Sequence, residues 1–417
     1  MTRIALLPSS YPPSLGGVEE LTRHLALSLV ESGDQVEVWT CHPDDAQPET
    51  VEIRDGIVVR RLPMPLPATN WSALQRTAIT GSHTLFSLRN AADAFRPDVL
   101  HVQCFGPNGA YATALSRITG RPLVVTLQGE TMMDDADIFE ESLVLRSALR
   151  SGIKRAAAVT ACSAFTLADA EARFGLKPGW GQVISNGVAL DGVEHGDHRP
   201  ATPIRFTPVP EDPGRRYVLA LGRVVEKKGF DLLLAAFAAI DPDRRTSDLV
   251  IAGSGAALEG LQRMASDLGV ADRVHFVGRL SREEVAAAMD GATAFVMPSR
   301  LEPFGIVILE AWRAGVAVVA STRGGAPEFV EDGVTGVLVD PFDIPAFASA
   351  LEGLLTDTAA RESIAAAGRA RVHDFDWHAI AEEYRRIYRS VTLPSTGRGA
   401  GSTSDVGSGA RLGESVR

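Results

Sequence analysis

The 417-residue sequence predicts two doubly wound α/β domains, each a parallel β-sheet covered by helices. Short apolar runs of strand length alternate with helical segments along most of the chain. This alternation is typical of right-handed β-α-β crossovers and parallel sheets. It stops once, in a proline-rich stretch at residues 199–216, and restarts at Tyr217. We therefore expect a first domain at residues 1–198, a linker at 199–216 and a second domain at 217–376.

Composition and charge exclude several classes of protein. The formal net charge of −11 and the pI near 5.4 argue against a nucleic-acid-binding protein, which usually carries a basic face. No apolar run approaches the ~18 to 20 residues of a membrane span, and no signal peptide precedes the first predicted strand. Cys41, Cys104 and Cys162 lie far apart, which favours buried thiols in a reducing cytoplasm over disulfides or a metal site. We expect a cytoplasmic protein.

The first domain begins with a buried strand at Arg3–Pro8 and a helix at residues 18–32 with apolar residues at helical spacing. Gly16 and Gly17 precede this helix, where they allow a ligand to approach the backbone closely or form a flexible turn. Asp55-Gly56 predicts a hairpin within residues 51–62. Further strands are predicted at residues 35–40, 99–102, 123–127, 159–161 and 183–185.

The second domain repeats the pattern. Strands are predicted at Tyr217–Leu221, 249–252, 274–277, Ala294–Met297, 316–320 and Val337–Val339. Helices are predicted at Phe230–Ala239, 258–268 and Arg282–Asp290, and a short helix is predicted at 327–330. Residues 393–417 are rich in Gly and Ser with few large apolar residues, which predicts disorder.

Residues 298–312, P-S-R-L-E-P-F-G-I-V-I-L-E-A-W, carry the strongest local signal for a ligand site. Two prolines keep the loop irregular, and Gly305 lets the backbone turn into a helix that starts with Ile306 and Val307. The first N–H groups and the positive dipole end of such a helix suit an anion. Ligands of parallel sheets bind beyond the carboxyl ends of the strands, where this loop is predicted to lie.

Two carboxylates belong to the same unit, Glu302 in the loop and Glu310 in the helix. Glu310 has apolar neighbours on nearly every side, and a buried carboxylate without a partner is costly. It forms either a structural salt bridge or hydrogen bonds to the hydroxyls of a ligand. A carboxylate with two oxygens suits the diol of a sugar, which is the interpretation we favour.

The string L-G-R-V-V-E-K-K-G-F follows the first strand of the second domain and brings Arg223 and Lys228 to the same end of the sheet. Two cations beside a helix N-terminus suit a diphosphate, because each charged hydrogen bond is worth ~1.5 to 3 kcal/mol. A surface ion pair is the alternative for Arg223. Lysine occurs only four times in the chain, so its retention at Lys228 favours a specific role.

Five motifs in this order resemble the family 4 glycosyltransferases, which are retaining enzymes of GT-B fold with two Rossmann-like domains facing a cleft. They are G-G-V-E-E at 16–20, N-G-V at 186–188, G-R-V-V-E-K-K-G at 222–229, E-P-F-G-I-V-I-L-E at 302–310 and G-G-A-P-E at 324–328. Each motif is weak alone, whereas the ordered set is specific. The resemblance covers roughly residues 2–389.

This resemblance implies a hexosyltransferase whose donor is a nucleotide diphosphate sugar, either a UDP-sugar or a GDP-sugar. Arg223 and Lys228 are then expected to clamp the diphosphate, with Glu302 facing the transferred sugar. The remaining donor-binding positions are Gly16 and Gly17 near the diphosphate, Val277 and Arg279 near the base, the amides of Gly305, Ile306 and Val307, and Glu310 at the ribose.

The resemblance also implies that helix 377–392 crosses back onto the first domain, and that the reaction uses neither metal nor cofactor. The acceptor is then a sugar, a lipid-linked molecule or a small molecule. Relatives often carry a histidine where this chain has Gln128, in T-L-Q-G-E, and a second glutamine, Gln103, lies two residues after His101. Glutamine can donate a hydrogen bond to a sugar but cannot titrate, so we expect Gln128 to position substrate.

Three other patterns have plainer explanations. Asp135-Ala136-Asp137 resembles the D-x-D motif of metal-dependent glycosyltransferases but is more typical of acidic sequence entering a helix. Gly253-Ser254-Gly255 is a dinucleotide-binding signature without its third glycine. Arg146, Arg150 and Lys154 share one helical face, which is either solvated or in peripheral contact with anionic lipid or an acidic acceptor.

Two further function classes stay open at this point. The same scaffold serves other enzymes, such as nucleotide-sugar epimerases and disaccharide phosphorylases. Because Gln128 cannot titrate, a catalytically silent nucleotide-sugar-binding protein is the third class.

Overall fold

The computed structural model describes residues 1–14, 16–44, 47–66, 71–133, 138–190 and 216–393, with the backbone alone at 71–78. The proposed linker, apart from Arg216, and the predicted disordered tail, apart from Leu393, lie outside these residues. The described strands form two sheets, one in each half of the chain, joined mainly by helical crossovers. The prediction of two doubly wound α/β domains is confirmed.

The first sheet is parallel except at one edge. Its strands are β1 (Arg3–Pro8), β2 (Gln35–Cys41), β3 (Thr50–Arg54), β4 (Ile57–Leu62), β5 (Val99–Gln103), β6 (Leu123–Leu127), β7 (Ala158–Ala161) and β8 (Gln182–Val183), in the order β3-β4-β2-β1-β5-β6-β7-β8. Strand β3 pairs antiparallel with β4 around the predicted Asp55-Gly56 turn. The helices of this half are α1 (Gly17–Glu31), α2 (Trp71–Phe95), α3 (Pro107–Thr119), α4 (Glu130–Met133), α5 (Ile138–Glu141), α6 (Leu143–Arg155) and α7 (Ala164–Phe174).

The second sheet is wholly parallel. Its strands are β9 (Tyr217–Leu221), β10 (Asp248–Ala252), β11 (Val274–Gly278), β12 (Ala294–Met297), β13 (Ala317–Ser321) and β14 (Val337–Val339), in the order β11-β10-β9-β12-β13-β14. The helices are α8 (Phe230–Ala239), α9 (Leu258–Asp267), α10 (Arg282–Asp290), α11 (Ile306–Ala314), α12 (Ile344–Thr356) and α13 (Thr358–Arg371). A last helix, α14 (Trp377–Thr392), follows them.

Helix α14 packs against the first sheet, not the second. Its buried face joins the core formed by β1, β2 and α1, with Tyr384 and Tyr388 almost fully enclosed. Tyr388 Oη lies 2.7 Å from His101 Nδ1, and Arg385 Nε donates to Asp34 Oδ2 at 2.8 Å. Both sides of each sheet carry a dense apolar core, as an α/β sandwich requires.

The predicted elements differ from the structure in a few places. The strand expected at residues 183–185 is only the pair Gln182–Val183, although the Ile184 amide extends the pairing to Ala161. The short helix expected at 327–330 is a 3-10 turn at Ala326–Glu328 with a proline in its first turn. Helices α12 and α13 were not predicted.

Candidate active site

The start of α11 forms the centre of the candidate site. Gly305 precedes the helix with φ +95°, and an added Cβ there would lie 2.8 Å from Met297 Sδ, so the tight turn requires glycine. No side chain caps this helix, which leaves the amides of Ile306 and Val307 for another acceptor. From the first domain, Gly17 faces this point: its ideal Cβ would lie 3.9 Å from Ile306 Cδ1.

Lys228 and Glu302 meet beside this helix. Lys228 Nζ donates to Glu302 Oε2 at 2.6 Å, and Ser299 Oγ donates to the same oxygen at 3.1 Å. Glu302 is buried, with 8% of its surface exposed, while Lys228 is partly exposed. A cation and a carboxylate on two different loops are thus held at one position, as expected from their place at the carboxyl edge of the sheet.

Arg223 lies on the turn after β9. Its Nη2 donates to the carbonyl oxygen of Met133 at 3.0 Å, so the guanidinium reaches across to the first domain. An ideal Cβ on Gly222 would lie 3.8 Å from Lys228 Cδ and Cε, which places the Lys228 side chain against the same turn. Gly253 packs directly against this turn, because a Cβ there would lie only 1.8 Å from the Gly222 carbonyl oxygen. The glycines at 253–255 therefore serve packing.

Glu310 is partly buried on α11. Burial raises the pKa of its carboxyl, while the charges of Arg313, Arg282 and His24 oppose this rise. Arg282 also pairs with Glu20 on α1, so the neighbourhood of Glu310 includes both domains. Arg313 donates through Nη1 to the Ala189 carbonyl oxygen at 3.0 Å. Glu310 thus lies where the charges of Arg313, Arg282 and His24 act on it, whereas Arg223 lies on the turn after β9.

The remaining predicted donor residues lie around these two centres. Val277 is partly buried in β11, whose end is tied to the turn at Gly253 by a 2.7 Å bond from the Gly253 amide to the Gly278 carbonyl oxygen. Arg279 follows and is exposed. Gly16 precedes α1, and its ideal Cβ would lie 2.5 Å from Glu19 Oε2, so an acidic side chain lies beside that glycine.

Gln128 lies at the seam between the domains. Its side-chain oxygen accepts from Asn186 Nδ2 at 3.0 Å, and its Nε2 donates to Gln103 Oε1 at 3.1 Å. The next residue, Gly129, packs against Pro303, the neighbour of Glu302. The loop that carries Gln128 is therefore in direct contact with the loop that carries Glu302.

Glu130, which the sequence did not single out, supports the same loop. Its carboxylate accepts the amides of Phe105 at 2.7 Å and Gln128 at 2.6 Å. Burial raises the pKa of Glu130 to about 7, although these amide bonds lower it. An acidic residue two positions after Gln128 was the only available signal, and nothing in one sequence distinguishes it from a helix-capping acid.

Glu328, in the G-G-A-P-E motif, makes a contact between the domains. Its Oε2 and Oε1 accept the amides of Ala164 at 2.7 Å and Phe165 at 2.8 Å, the first two residues of α7. A carboxylate at a helix N-terminus is favourable because it meets free N–H groups and the positive dipole end. The sequence shows the G-G-A-P-E motif, but it does not show that Glu328 binds the amides at the start of α7.

The basic residues of α6 are partly engaged within the protein. Arg146 donates to the Phe139 carbonyl oxygen at 2.7 Å, and Arg150 donates to that of Arg173 at 3.0 Å. The acidic triplet at residues 135–137 lies outside the described residues. Within the described part of the chain, no helix combines the length and the apolar character needed to cross a membrane.

Comparison with known proteins identifies the family of this chain. Residues 16–187 match the model of the glycosyl transferase 4-like domain, and residues 204–371 match that of glycosyl transferases group 1. A D-inositol 3-phosphate glycosyltransferase of Frankia alni is 31% identical over 401 residues, covering 91% of this chain and 96% of the relative. A GDP-mannose-dependent phosphatidylinositol monomannoside mannosyltransferase of Mycolicibacterium smegmatis is 43% identical over 184 residues, 40% of this chain and 48% of the relative.

Among solved structures, HepE of Anabaena in complex with UDP-glucose superimposes with a TM-score of 0.71 at 21% identity, covering 94% of this chain and 100% of that one. This similarity shows the fold. The sequence matches span both halves of the chain. The chain therefore belongs to the family 4, group 1 glycosyltransferases and has their GT-B fold.

Proposed function

We propose that this chain transfers a hexosyl group from a nucleotide diphosphate sugar to an acceptor hydroxyl with retention of the anomeric configuration. UDP-sugars and GDP-sugars are the donor candidates, since one structural neighbour holds UDP-glucose and one relative is GDP-mannose-dependent. The acceptor is a sugar, a lipid-linked molecule or a small molecule. The observation that carries the proposal is the approach of Lys228 to Glu302 beside the uncapped start of α11.

The cations and amides of the site are assigned to the negative charge of the leaving diphosphate. When the bond from the anomeric carbon to the diphosphate oxygen breaks, its electron pair stays on the diphosphate. Arg223 and Lys228 stabilise that negative charge, together with the amides of Ile306 and Val307. Donors that are already fixed by the fold require little reorganisation as the charge develops, which lowers the barrier.

The other predicted residues hold the donor. Glu310 accepts hydrogen bonds from the ribose hydroxyls, and Glu302 faces the transferred sugar. The acceptor oxygen forms its bond to the anomeric carbon on the face that the diphosphate leaves, and the acceptor proton passes to a diphosphate oxygen. No protein nucleophile is needed. Contact of the two domains at Gly129 and Pro303 encloses the reacting atoms and limits access of water.

We also propose that the reaction needs no metal ion or cofactor, because fixed cations and helix amides can meet the diphosphate charge. Equal turnover in excess EDTA and in millimolar Mg²⁺ is the expected result, and loss of turnover in EDTA would contradict it. Cys41, Cys104 and Cys162 all lie in the described part of the chain and are not joined by disulfides. A reducing cytoplasm is the proposed location. Peripheral contact of the α6 face with anionic lipid at the inner membrane surface stays a proposal, although Arg146 and Arg150 also donate to carbonyl oxygens of their own domain.

A melting panel with UDP, GDP, ADP and their sugar conjugates tests donor binding. A ligand at 100 times its dissociation constant adds ~2.7 kcal/mol to the stability of the folded state. The conjugate that binds is then incubated with acceptors, and nucleoside diphosphate release is measured. Transfer supports the proposal. Interconversion of the donor without acceptor indicates an epimerase, use of inorganic phosphate indicates a phosphorylase, and binding without turnover indicates a silent binding protein.

The roles of Arg223 and Lys228 have their own test. We expect Arg223→Ala and Lys228→Ala each to lower turnover ~10²-fold or more, by analogy with the loss of transition-state donors. Lys227→Ala is the matched control, because Lys227 lies on the same 3-10 turn as Lys228. Near-normal turnover in both variants would remove the proposed role.

A further inference from the structure

Three side-chain amides form a hydrogen-bonded chain at the carboxyl edge of the first sheet. Asn186 Nδ2 donates to Gln128 Oε1 at 3.0 Å, and Gln128 Nε2 donates to Gln103 Oε1 at 3.1 Å. Gln103 Nε2 lies 3.3 Å from His101 Nε2. Gln103 and His101 are fully buried and Asn186 nearly so, whereas Gln128 is partly exposed. Residue 128 is therefore the exposed member of an otherwise buried chain.

The orientation of this chain is internally consistent. Because Gln128 donates to the Gln103 oxygen, the Gln103 nitrogen, which only donates, faces His101 Nε2 at 3.3 Å. Thr126 Oγ1 lies 2.7 Å from the same ring nitrogen. Burial lowers the pKa of His101 to about 3, so the ring is neutral and carries a single N–H. His101 Nδ1 lies 2.7 Å from Tyr388 Oη, so both ring nitrogens have a hydrogen-bonding neighbour.

This orientation determines what Gln128 has left for a ligand. Its side-chain amide has two N–H groups and an oxygen with two lone pairs. Gln103 uses one N–H and Asn186 uses one lone pair. The backbone N–H of Gln128 is bonded to Glu130 at 2.6 Å, so this amide is also engaged. One side-chain N–H donor and one lone pair of the amide oxygen therefore remain next to the loop of Glu302, and two buried neighbours hold the amide in place.

We propose that Gln103 and Asn186 are positioning residues for glycosyl transfer, which fix the Gln128 amide so that residue 128 presents an N–H donor to a hydroxyl of the transferred sugar. The inference rests on the proposed function. Two partners restrict the rotation of a long side chain before substrate binds, so less conformational entropy is lost in the complex. Donor sugars that lack the hydroxyl to which Gln128 donates are expected to react poorly.

A double-mutant cycle separates this role from a structural one. We expect Asn186→Asp, which keeps the shape but loses the donor, to lower kcat at least tenfold while changing the affinity for UDP or GDP less than twofold. In a Gln128→Ala background, Asn186→Asp should have no further effect on kcat, because it acts only through Gln128. Gln103→Leu should follow the same pattern.

Thr160→Val is the matched control. Thr160 Oγ1 lies 2.6 Å from Thr126 Oγ1 in the same buried network but has no hydrogen bond to Gln128. We expect kcat within twofold of the wild type, and melting curves verify that every variant is folded. Full turnover of Asn186→Asp, or losses that add in the double variant, would overturn the inference alone. If the wild type neither binds nor cleaves any nucleotide sugar of the panel, the proposed function and this inference both fail.

Discussion

Replacing Gly129 by alanine tests whether the contact between the two domains determines the geometry of the active site. Gly129 follows Gln128, has a φ of +88° and packs against Pro303. A Cβ at this position would lie 2.1 Å from Pro303 Cγ and 2.4 Å from Pro303 Cβ. Because carbon atoms in contact lie about 3.5–4.0 Å apart, the loops must separate by about 1.5 Å.

The expected loss has two parts. Left-handed backbone costs a residue with a Cβ roughly 1–2 kcal/mol, which lowers the stability of the fold. Separation of the loops also moves Gln128 away from Glu302. A misplacement of about 1 Å can lower turnover ~10²-fold, equivalent to about 2.7 kcal/mol of activation free energy.

Gly120→Ala separates the two parts experimentally. Gly120 has a φ of +72°, and no atom lies within 4 Å of its ideal Cβ. Alanine at this position therefore has the same unfavourable left-handed backbone but no steric clash with another loop. Both variants are compared by thermal melting and by nucleoside diphosphate release. We expect Gly120→Ala to lose stability only and Gly129→Ala to lose turnover as well. Equal turnover in the two variants would refute the reasoning.

Two further predictions concern carboxylates outside the predicted set. Glu328→Gln should weaken the cap on α7 and favour domain opening by ~1 kcal/mol, seen as a larger radius of gyration in X-ray scattering. Exposed Glu331→Gln is its control, and equal scattering of the two variants would contradict the capping role. Glu130 has a folded pKa raised from 4.5 to about 7, so its contribution to stability is complete below pH 4.5 and is lost as pH rises through 7. Between pH 4.5 and 8, the free energy of unfolding measured in urea should change by about 3 kcal/mol less in Glu130→Gln than in the wild type. The same pH dependence of this free energy in both proteins would contradict the prediction.

Local sequence signals predicted much of the fold. Gly305 and the prolines before it placed the start of α11 at Ile306, as observed, because few other residues permit that turn. The Asp55-Gly56 pair likewise placed the β3–β4 hairpin, where both residues have positive φ. These signals succeed because the backbone conformation is decided within a few residues.

The partners of the candidate site residues were not predictable in the same way. Asn186 and Gln103 are separated from Gln128 by 58 and 25 residues, and they meet only because parallel strands end at one edge. Glu328 and Ala164 lie 164 residues apart and depend on how two domains approach each other. Such pairings follow from tertiary geometry, on which a single sequence carries no direct signal. The Gly253-Ser254-Gly255 motif misleads in the opposite way. It resembles a ligand-binding signature, but in the structure Gly253 packs against the turn at Gly222.

The return of α14 to the first sheet affects how the chain must mature. Tyr384 and Tyr388 complete the apolar core around β1 and α1, and Tyr388 meets the buried His101. During synthesis these residues leave the ribosome only after the whole second domain. The N-terminal domain therefore lacks part of its apolar core until α14 has been synthesised.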